Sequence, residues 1–472
     1  MREPSDATVG DLAIVLHSHM PYVEGFGTYP FGEEWLFDAV IRSYLPVLEV
    51  ARQLTVTVTP VLADQLEDPG VQLRLRDFLV DYRIEAAKDD VANVPPECRE
   101  AAKAEAARYE RALASLDSMG GDPLRAFQAA ERDGRVAIMA SAATHAVLPL
   151  LATRQGLRLQ LDAGLRSHRR RFDWQGGFWL PECAYAPGLE WELAEHGVRW
   201  FCVDQSRAAG GLDGLSPVQT DAGPVAFPID WETISRVWAL DGYPSHPAHA
   251  MFMGKSLRGT QIWKVGGGAY DPKSATAAAR EQADDFVEAV ADRLATYREG
   301  RGRRGLLVFA IDTELLGHWW SEGPVWLERV IDRAGDGGLR LLTLREALDA
   351  HPAERRRLWP ASWGDGKDLR SWDSPGVADL AWAARRLELR LLTALESGLE
   401  RGAALRSARE LLATQSSDWA FLDGKGQAGD YPFQRATAHA QAMLEAIDSS
   451  AVPDPRMRAL APDLSLAPIL EP

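Results

Sequence analysis

The chain reads as a parallel α/β fold of the barrel type, and three observations predict it. Short apolar runs recur and each ends in polar residues: LAIVL at 12–16 before His17-Ser18-His19, VTVTPVL at 56–62, VAIMAS at 136–141, GFWLPE at 177–182, WFCVD at 200–204 and LLVFAID at 306–312. Runs of this kind fit strands covered on both faces, as parallel strands are. Helical periodicity lies between them, at 189–196 and 274–297 for example, the alternation that builds βα units. His, Glu and Asp gather just beyond the runs, where α/β barrels carry their chemistry.

Each stretch has its reason. Residues 1–64 and 134–348 carry the strand signals and make the barrel. Residues 65–133 break the rhythm: Ala, Glu, Arg and Leu dominate, Pro95-Pro96 divides them, and they read as helices inserted between two strands. After Leu348 the strand signals stop, and residues 349–450 read as a helical C-terminal domain, most periodic at 377–447. Residues 451–472 form a Pro-rich tail, expected to wrap the surface or stay disordered.

Composition narrows the function. The 472 residues include 52 Lys+Arg and 68 Asp+Glu, a formal net charge of −16. That balance argues against nucleic acid and against an anionic membrane surface, both of which call for a basic footprint. Three cysteines at irregular spacing give no disulfide framework or Cys-based zinc site. The first residues lack a signal-peptide layout, and no apolar stretch approaches the ~18–20 residues that span a bilayer. A cytoplasmic protein, monomeric or a small homo-oligomer, is the expectation. The 16 Trp stand out, because a flat apolar ring with one N–H donor suits either a core or a cleft that stacks sugar faces.

His17 and His19 lie two apart, so an extended chain points both to one face; His145 follows VAIMAS within ATHAVLPLL. Such a trio could hold a metal, donate hydrogen bonds to substrate hydroxyls, or pack structurally; the second reading is favoured. Glu182 closes GFWLPE, and Asp312 closes LLVFAID ahead of Gly317-His318-Trp319-Trp320. A charge at the end of an apolar strand is costly without partners or function. Two carboxylates at one barrel rim are what glycoside cleavage requires, one to attack the anomeric carbon and one to protonate the leaving oxygen. Helix capping is the bland alternative for each. Trp35, Trp263, Trp363, Trp372 and Trp419 fall in loops or motifs expected to face that pair, and about half of the 16 Trp are expected in the cleft.

HSHMPYV at 17–23, ATHAVLPLL at 143–151, GFWLPECAY at 177–185, FAIDTELLGHWW at 309–320 and SSDWAFL at 416–422 together resemble glycoside hydrolase family 57, and within it the 1,4-α-glucan branching enzymes. The likeness runs over about residues 10–445. It implies a (β/α)7 distorted TIM-like barrel with a helical insertion and a C-terminal all-helical domain. It implies Glu182 as nucleophile and Asp312 as general acid/base, with His17, His19, His145 and His318 in the pocket. Trp35, Trp263, Trp363, Trp372 and Trp419 are then cleft aromatics. It also implies no metal or organic cofactor, and an α-glucan (amylose, glycogen or a maltooligosaccharide) as partner. An α-amylase or 4-α-glucanotransferase activity is the nearest alternative. A metal-dependent polysaccharide deacetylase or α-mannosidase is more distant, since those usually carry Asp in the first motif where this chain has His-Ser-His; a non-catalytic glucan-binding protein is a third.

The sequence departs from the family pattern in three places. The stretch after Trp238, GYPSHPAHAMFMGKSLRGTQIWKVGGG at 242–268, is compact where branching enzymes usually have a long mobile loop bearing a tyrosine. Asp204-Gln205-Ser206 lacks a following His, and Pro228-Ile229-Asp230 lacks an Arg before the Asp. These changes spare the carboxylate pair and bear on the acceptor. A shorter lid excludes water less well, so hydrolysis is expected to take a larger share.

Overall fold

The computed structural model describes residues 8–449 and 458–470. Its strands are β1 (Gly10–Ser18), β2 (Leu54–Val58), β3 (Val136–Ser141), β4 (Gly177–Trp179), β5 (Trp200–Val203), β6 (Val218–Gln219), β7 (Val225–Pro228), β8 (Leu306–Asp312), β9 (Leu339–Leu341) and β10 (Glu354–Arg355). They pair in the order β10-β6-β7-β5-β4-β3-β2-β1-β8, with β9 also on β1. Along this path β8, β1, β2, β3, β4, β5 and β7 are parallel neighbours; β6 runs antiparallel to β7, and β10 runs parallel to β6. Just past β7 the Asp230 N–H donates to the Val308 carbonyl of β8 at 2.8 Å. The seven parallel strands thus curl until their edges meet through backbone rather than a full ladder, a distorted (β/α)7 barrel.

Every residue of β1 is buried, as its unbroken apolar run requires, and each such side chain contributes roughly 1.5–3 kcal/mol of transfer free energy. The run at 56–62 stops as a strand at Val58, because Pro60 opens the helix Pro60–Glu67, where proline's fixed φ and missing N–H cost nothing. Residues 69–132 hold the helices Pro69–Asp77, Glu85–Asn93, Arg99–Ser118 and Leu124–Arg132, with the Pro95-Pro96 break between the second and third. The helix Arg99–Ser118 returns to the barrel wall through Glu105, which pairs with buried Arg42.

Past Leu348, where the strand signals stop, one further strand follows: β10 pairs with β6. Two residues held by backbone alone leave no apolar run to read. Besides β10, residues 351–377 carry the one-turn helices Asp365–Lys367 and Pro375–Val377 and an isolated bridge from Ala361 to Tyr185. The helices Ala378–Glu396, Arg401–Thr414, Ser417–Gly424 and Tyr431–Ser449 follow. Of the tail, residues 458–470 dock: Leu460 and Ile469 are buried, the Ala461 N–H donates to Asp64 at 2.7 Å, and Arg458 pairs with Glu410. Residues 451–457 and 471–472 lie outside the described residues. Among the described residues no helix is long and apolar enough to cross a membrane.

Candidate active site

The parallel register of β1 and β8 sets His17 opposite Asp312. Glu182 stands in the one-turn helix Pro181–Cys183 after β4, at a φ of +60°, and His145 has a φ of +59°. A left-handed backbone costs a non-glycine residue about 1–3 kcal/mol and persists only where its surroundings hold it. Both residues are held from a distance in sequence. The Trp363 N–H donates to the Glu182 carbonyl at 2.9 Å, and the Ser417 N–H to the His145 carbonyl at 3.2 Å.

Each oxygen of the Glu182 carboxylate has its own donor. Ser417 Oγ donates to Oε1 at 2.8 Å and Trp363 Nε1 to Oε2 at 2.9 Å. Burial raises the Glu182 pKa, while these two hydrogen bonds pull against the rise by favouring the anion. Asp312 lies under stronger pressure. Burial pushes its pKa well above the usual carboxylate range, and the charges of Glu314, Glu182 and Asp418 add to the push. Glu314 accepts from the Tyr44 hydroxyl and from the His19 N–H; burial lifts it to about 7 against those bonds.

The three histidines form one stack, with ring centroids 4.8 Å apart for His17–His145 and 4.1 Å for His19–His145. His17 lies on Trp179 at 4.6 Å and 16°, and Trp179 is the buried floor of the site. The partners differ from ring to ring. Both nitrogens of His17 and Nε2 of His145 are buried without a hydrogen-bond partner, while His145 Nδ1 meets Ser417 Oγ at 2.9 Å. Burial, then the charge on His19, drives the pKa of both rings well below the ordinary imidazole value. His19 is saturated instead, Nδ1 on Thr59 Oγ1 at 3.0 Å and Nε2 on both oxygens of Asp418 at 3.0 and 3.2 Å. Burial opposes its charge, yet Asp418 overrides burial and raises its pKa. Both ring nitrogens of His19, expected to donate to substrate, are thus engaged within the protein. Stacked face to face, the rings do not turn their lone pairs to one point, and among the described residues no group of three His, Cys, Asp or Glu is arranged to hold a metal.

The tryptophans divide unevenly. Trp363 meets Glu182 and stands edge-on to Trp179 at 5.0 Å and 62°. Trp372 and Trp419, expected as cleft platforms, are 2% and 1% exposed. Trp372 packs with Val147 and Ala184; Trp419 gives its N–H to the Ala413 carbonyl and turns toward His439 and Arg435. Trp35 packs on Phe31 and Tyr431, Trp263 on the cluster of Val94, Cys98 and Ala101. His318 lies between Phe252 and Trp319, its pKa lowered to about 4 by burial. Six of the 16, Trp179, Trp200, Trp320, Trp326, Trp372 and Trp419, are buried, and Trp191, Trp238, Trp319, Trp359 and Trp382 are exposed.

Sequence reading missed Ser417, Asp418, Glu314 and Tyr44. The first two were in view within SSDWAFL, but Ser and Asp opening a helix look like capping residues, which conceals their contacts with Glu182 and His19. The departures from the family pattern also find partners: Lys367 pairs with Asp204 at 2.9 Å, and Arg293, from the helix Pro272–Arg301, pairs with Asp230 at 2.6 Å. The compact stretch after Trp238 is tied down by the Met251 N–H on the Trp263 carbonyl and the Ala250 N–H on Glu322.

The family profile "Glycosyl hydrolase family 57" matches residues 13–358, and the profile "1,4-alpha-glucan branching enzyme, C-terminal" matches residues 380–461. The chain is 36% identical to a probable 1,4-alpha-glucan branching enzyme of Mycobacterium tuberculosis, over 94% of this chain and 93% of that one. Its structure is similar to the GH57-type branching enzyme of Pyrococcus horikoshii, with a TM-score of 0.91 and 29% identity, covering 98% and 97% of the two chains. It is also similar to the alpha-amylase AmyC of Thermotoga maritima, with a TM-score of 0.83 and 25% identity, covering 93% of each. The chain belongs to glycosyl hydrolase family 57.

Proposed function

We propose that this protein is a retaining 1,4-α-glucan branching enzyme, with Glu182 as nucleophile and Asp312 as general acid/base. The observation that carries the assignment is the asymmetry of the two carboxylates. Glu182 has a donor on each oxygen, and these bonds favour its anion against the rise that burial causes; Asp312 is pushed well above the carboxylate range by burial, and its acidic neighbours add to the push, which favours its protonated form. Environments that push two carboxyl groups apart in this way mark the base-like and acid-like partners of a pair.

The steps follow. A Glu182 oxygen attacks the anomeric carbon, the C1–O4 bond breaks, and O4 takes the Asp312 proton. Asp312, now ionised, receives the O6 proton of an incoming glucan; O6 bonds to C1 and Glu182 is released. The unpartnered nitrogens of His17 and His145 meet sugar hydroxyls at this stage, which relieves a penalty of about 1–3 kcal/mol for each buried polar group left unpaired. Water in place of O6–H gives hydrolysis. The compact, tied-down stretch after Trp238 and the likeness to an alpha-amylase favour a second activity, α-1,4 hydrolysis, as a substantial share of turnover.

The wider setting belongs to the same proposal. The barrel comprises residues 1–64 and 134–348, the insertion 65–133 and the C-terminal region 349–450; the enzyme is cytoplasmic, acts in glycogen-type metabolism on amylose, glycogen or maltooligosaccharides, and works as a monomer or small homo-oligomer. Digestion of amylose followed by isoamylase tests the activity. Chain ends released only after debranching count branches, and those present before it count hydrolysis. Both are expected in comparable amounts; an absence of isoamylase-released chains rejects branching, and branching with negligible prior ends rejects the hydrolytic share.

A further inference from the structure

Ser417 occupies an unusual position between two groups of the site. Its hydroxyl lies 2.8 Å from Glu182 Oε1 and 2.9 Å from His145 Nδ1, and its N–H is bonded to the His145 carbonyl. Ala146 and Ser416 add a backbone bridge between the same two segments. The helix Ser417–Gly424 is therefore pinned to the loop after β3, with its first side chain inside the barrel mouth.

A hydroxyl has one proton to give, and a carboxylate can only accept. With Glu182 ionised, the Ser417 proton is committed to Oε1, and only a lone pair of Oγ remains for His145. His145 Nδ1 lies 3.6 Å from Glu182 Oε1, too far for a direct hydrogen bond of its own. We propose that Ser417 is a positioning residue that fixes His145 as its Nδ1–H tautomer, so that the unpartnered Nε2 faces substrate as an acceptor for a sugar hydroxyl. The chain of donation runs from sugar O–H to His145 Nε2, from His145 Nδ1–H to Ser417 Oγ, and from Ser417 O–H to Glu182. Each bond orients the next, so the region after the barrel sets the polarity of the pocket beside the reacting carbon. The ring stacked below, His17, has neither nitrogen committed and remains free to donate; the two histidines thus read different hydroxyls.

This inference rests on Glu182 being the ionised nucleophile. Long-range proton–nitrogen NMR on histidine-labelled full-length protein tests it directly, with the His145 signals identified by their loss in His145→Gln. The expected spectrum has a protonated Nδ1 and a bare Nε2 in the wild type, and a change in that pattern in Ser417→Ala. For Ser417→Ala, kcat on amylose is expected to fall about 10–100-fold, the size of one hydrogen bond to a charged group, with KM moving less than threefold. Ser417→Thr keeps the hydroxyl and is expected to restore both tautomer and rate. A wild-type His145 protonated at Nε2 instead overturns the proposal, whether or not the variants fold. Glu182→Gln separates the two layers: if it retains wild-type activity the nucleophile assignment falls, and if it is inactive while His145 shows a bare Nδ1 only the relay falls.

Discussion

Glu182→Gln is expected to lower kcat for hydrolysis and for transfer together, by on the order of 10⁴-fold or more, as removal of a nucleophile does elsewhere. The amide keeps the size of the carboxylate but cannot form the glycosyl-enzyme, so both outcomes of the second step vanish. Asp312→Ala behaves differently. It removes the proton donor, a contribution of about 10²–10⁴-fold, yet its deficit depends on the leaving group. With a glucosyl fluoride donor, whose departure needs no proton from Asp312, the first step is expected to recover most of its rate and the glycosyl-enzyme to accumulate. A uniform loss in Asp312→Ala across glucan and fluoride donors contradicts its role as the acid. Because burial and the neighbouring carboxylates raise the Asp312 pKa well above the carboxylate range, wild-type activity is expected to hold as an acid-requiring plateau into higher pH than an ordinary aspartate permits. The basic limb of kcat/KM is the measurement.

Asp418→Asn is expected to give the largest stability change at the site. The His19–Asp418 pair is mostly buried, with side chains 12% and 15% exposed. Breaking such a pair costs about 3–5 kcal/mol when a charge is stranded; His19 can shed its proton, which places the expected loss at the lower end. The sign with pH follows from the two shifts. The raised His19 pKa means that its contribution is complete below the ordinary value of 6.5 and fades as pH climbs through the raised value. Burial works against the Asp418 anion, but the His19 charge and hydrogen bond prevail and lower its pKa from 3.8 to about 2, so that its share is present above 3.8 and is lost toward 2. The stability gap between wild type and Asp418→Asn is therefore widest between about pH 4 and 6.5 and narrows on the alkaline side. Chemical denaturation across pH 5–9 measures it. A gap that stays constant over that range shows that the pair is not charged.

Much of this molecule was legible because the physics is local. β1 and β8 show as unbroken apolar runs since both faces of each are covered, and His17 and Asp312 are found where those runs end. Glu182 was visible for the same reason, although nothing in PEC announces its left-handed backbone. What could not be read depends on partners far apart in sequence. His17 and His19 share a face and look equivalent, yet Asp418, 399 positions beyond His19, binds its Nε2 and raises its pKa. Ser417 looks like a helix cap until its segment is laid against His145. β6 and β10 hold only 2 residues each, too few for a periodic signal. A Trp count cannot place the rings for a related reason: the ring is equally useful on either side of the wall, and burial decides which.

Retention and transfer are both decided at the anomeric carbon, and a proton NMR time course with amylose follows that carbon directly. Signals of α-1,6 anomeric protons are expected to grow, and the reducing ends released by hydrolysis are expected to appear first as the α anomer, ahead of mutarotation, with both absent in Glu182→Gln. Initial release of the β anomer, or new reducing ends without any α-1,6 signal, would contradict it.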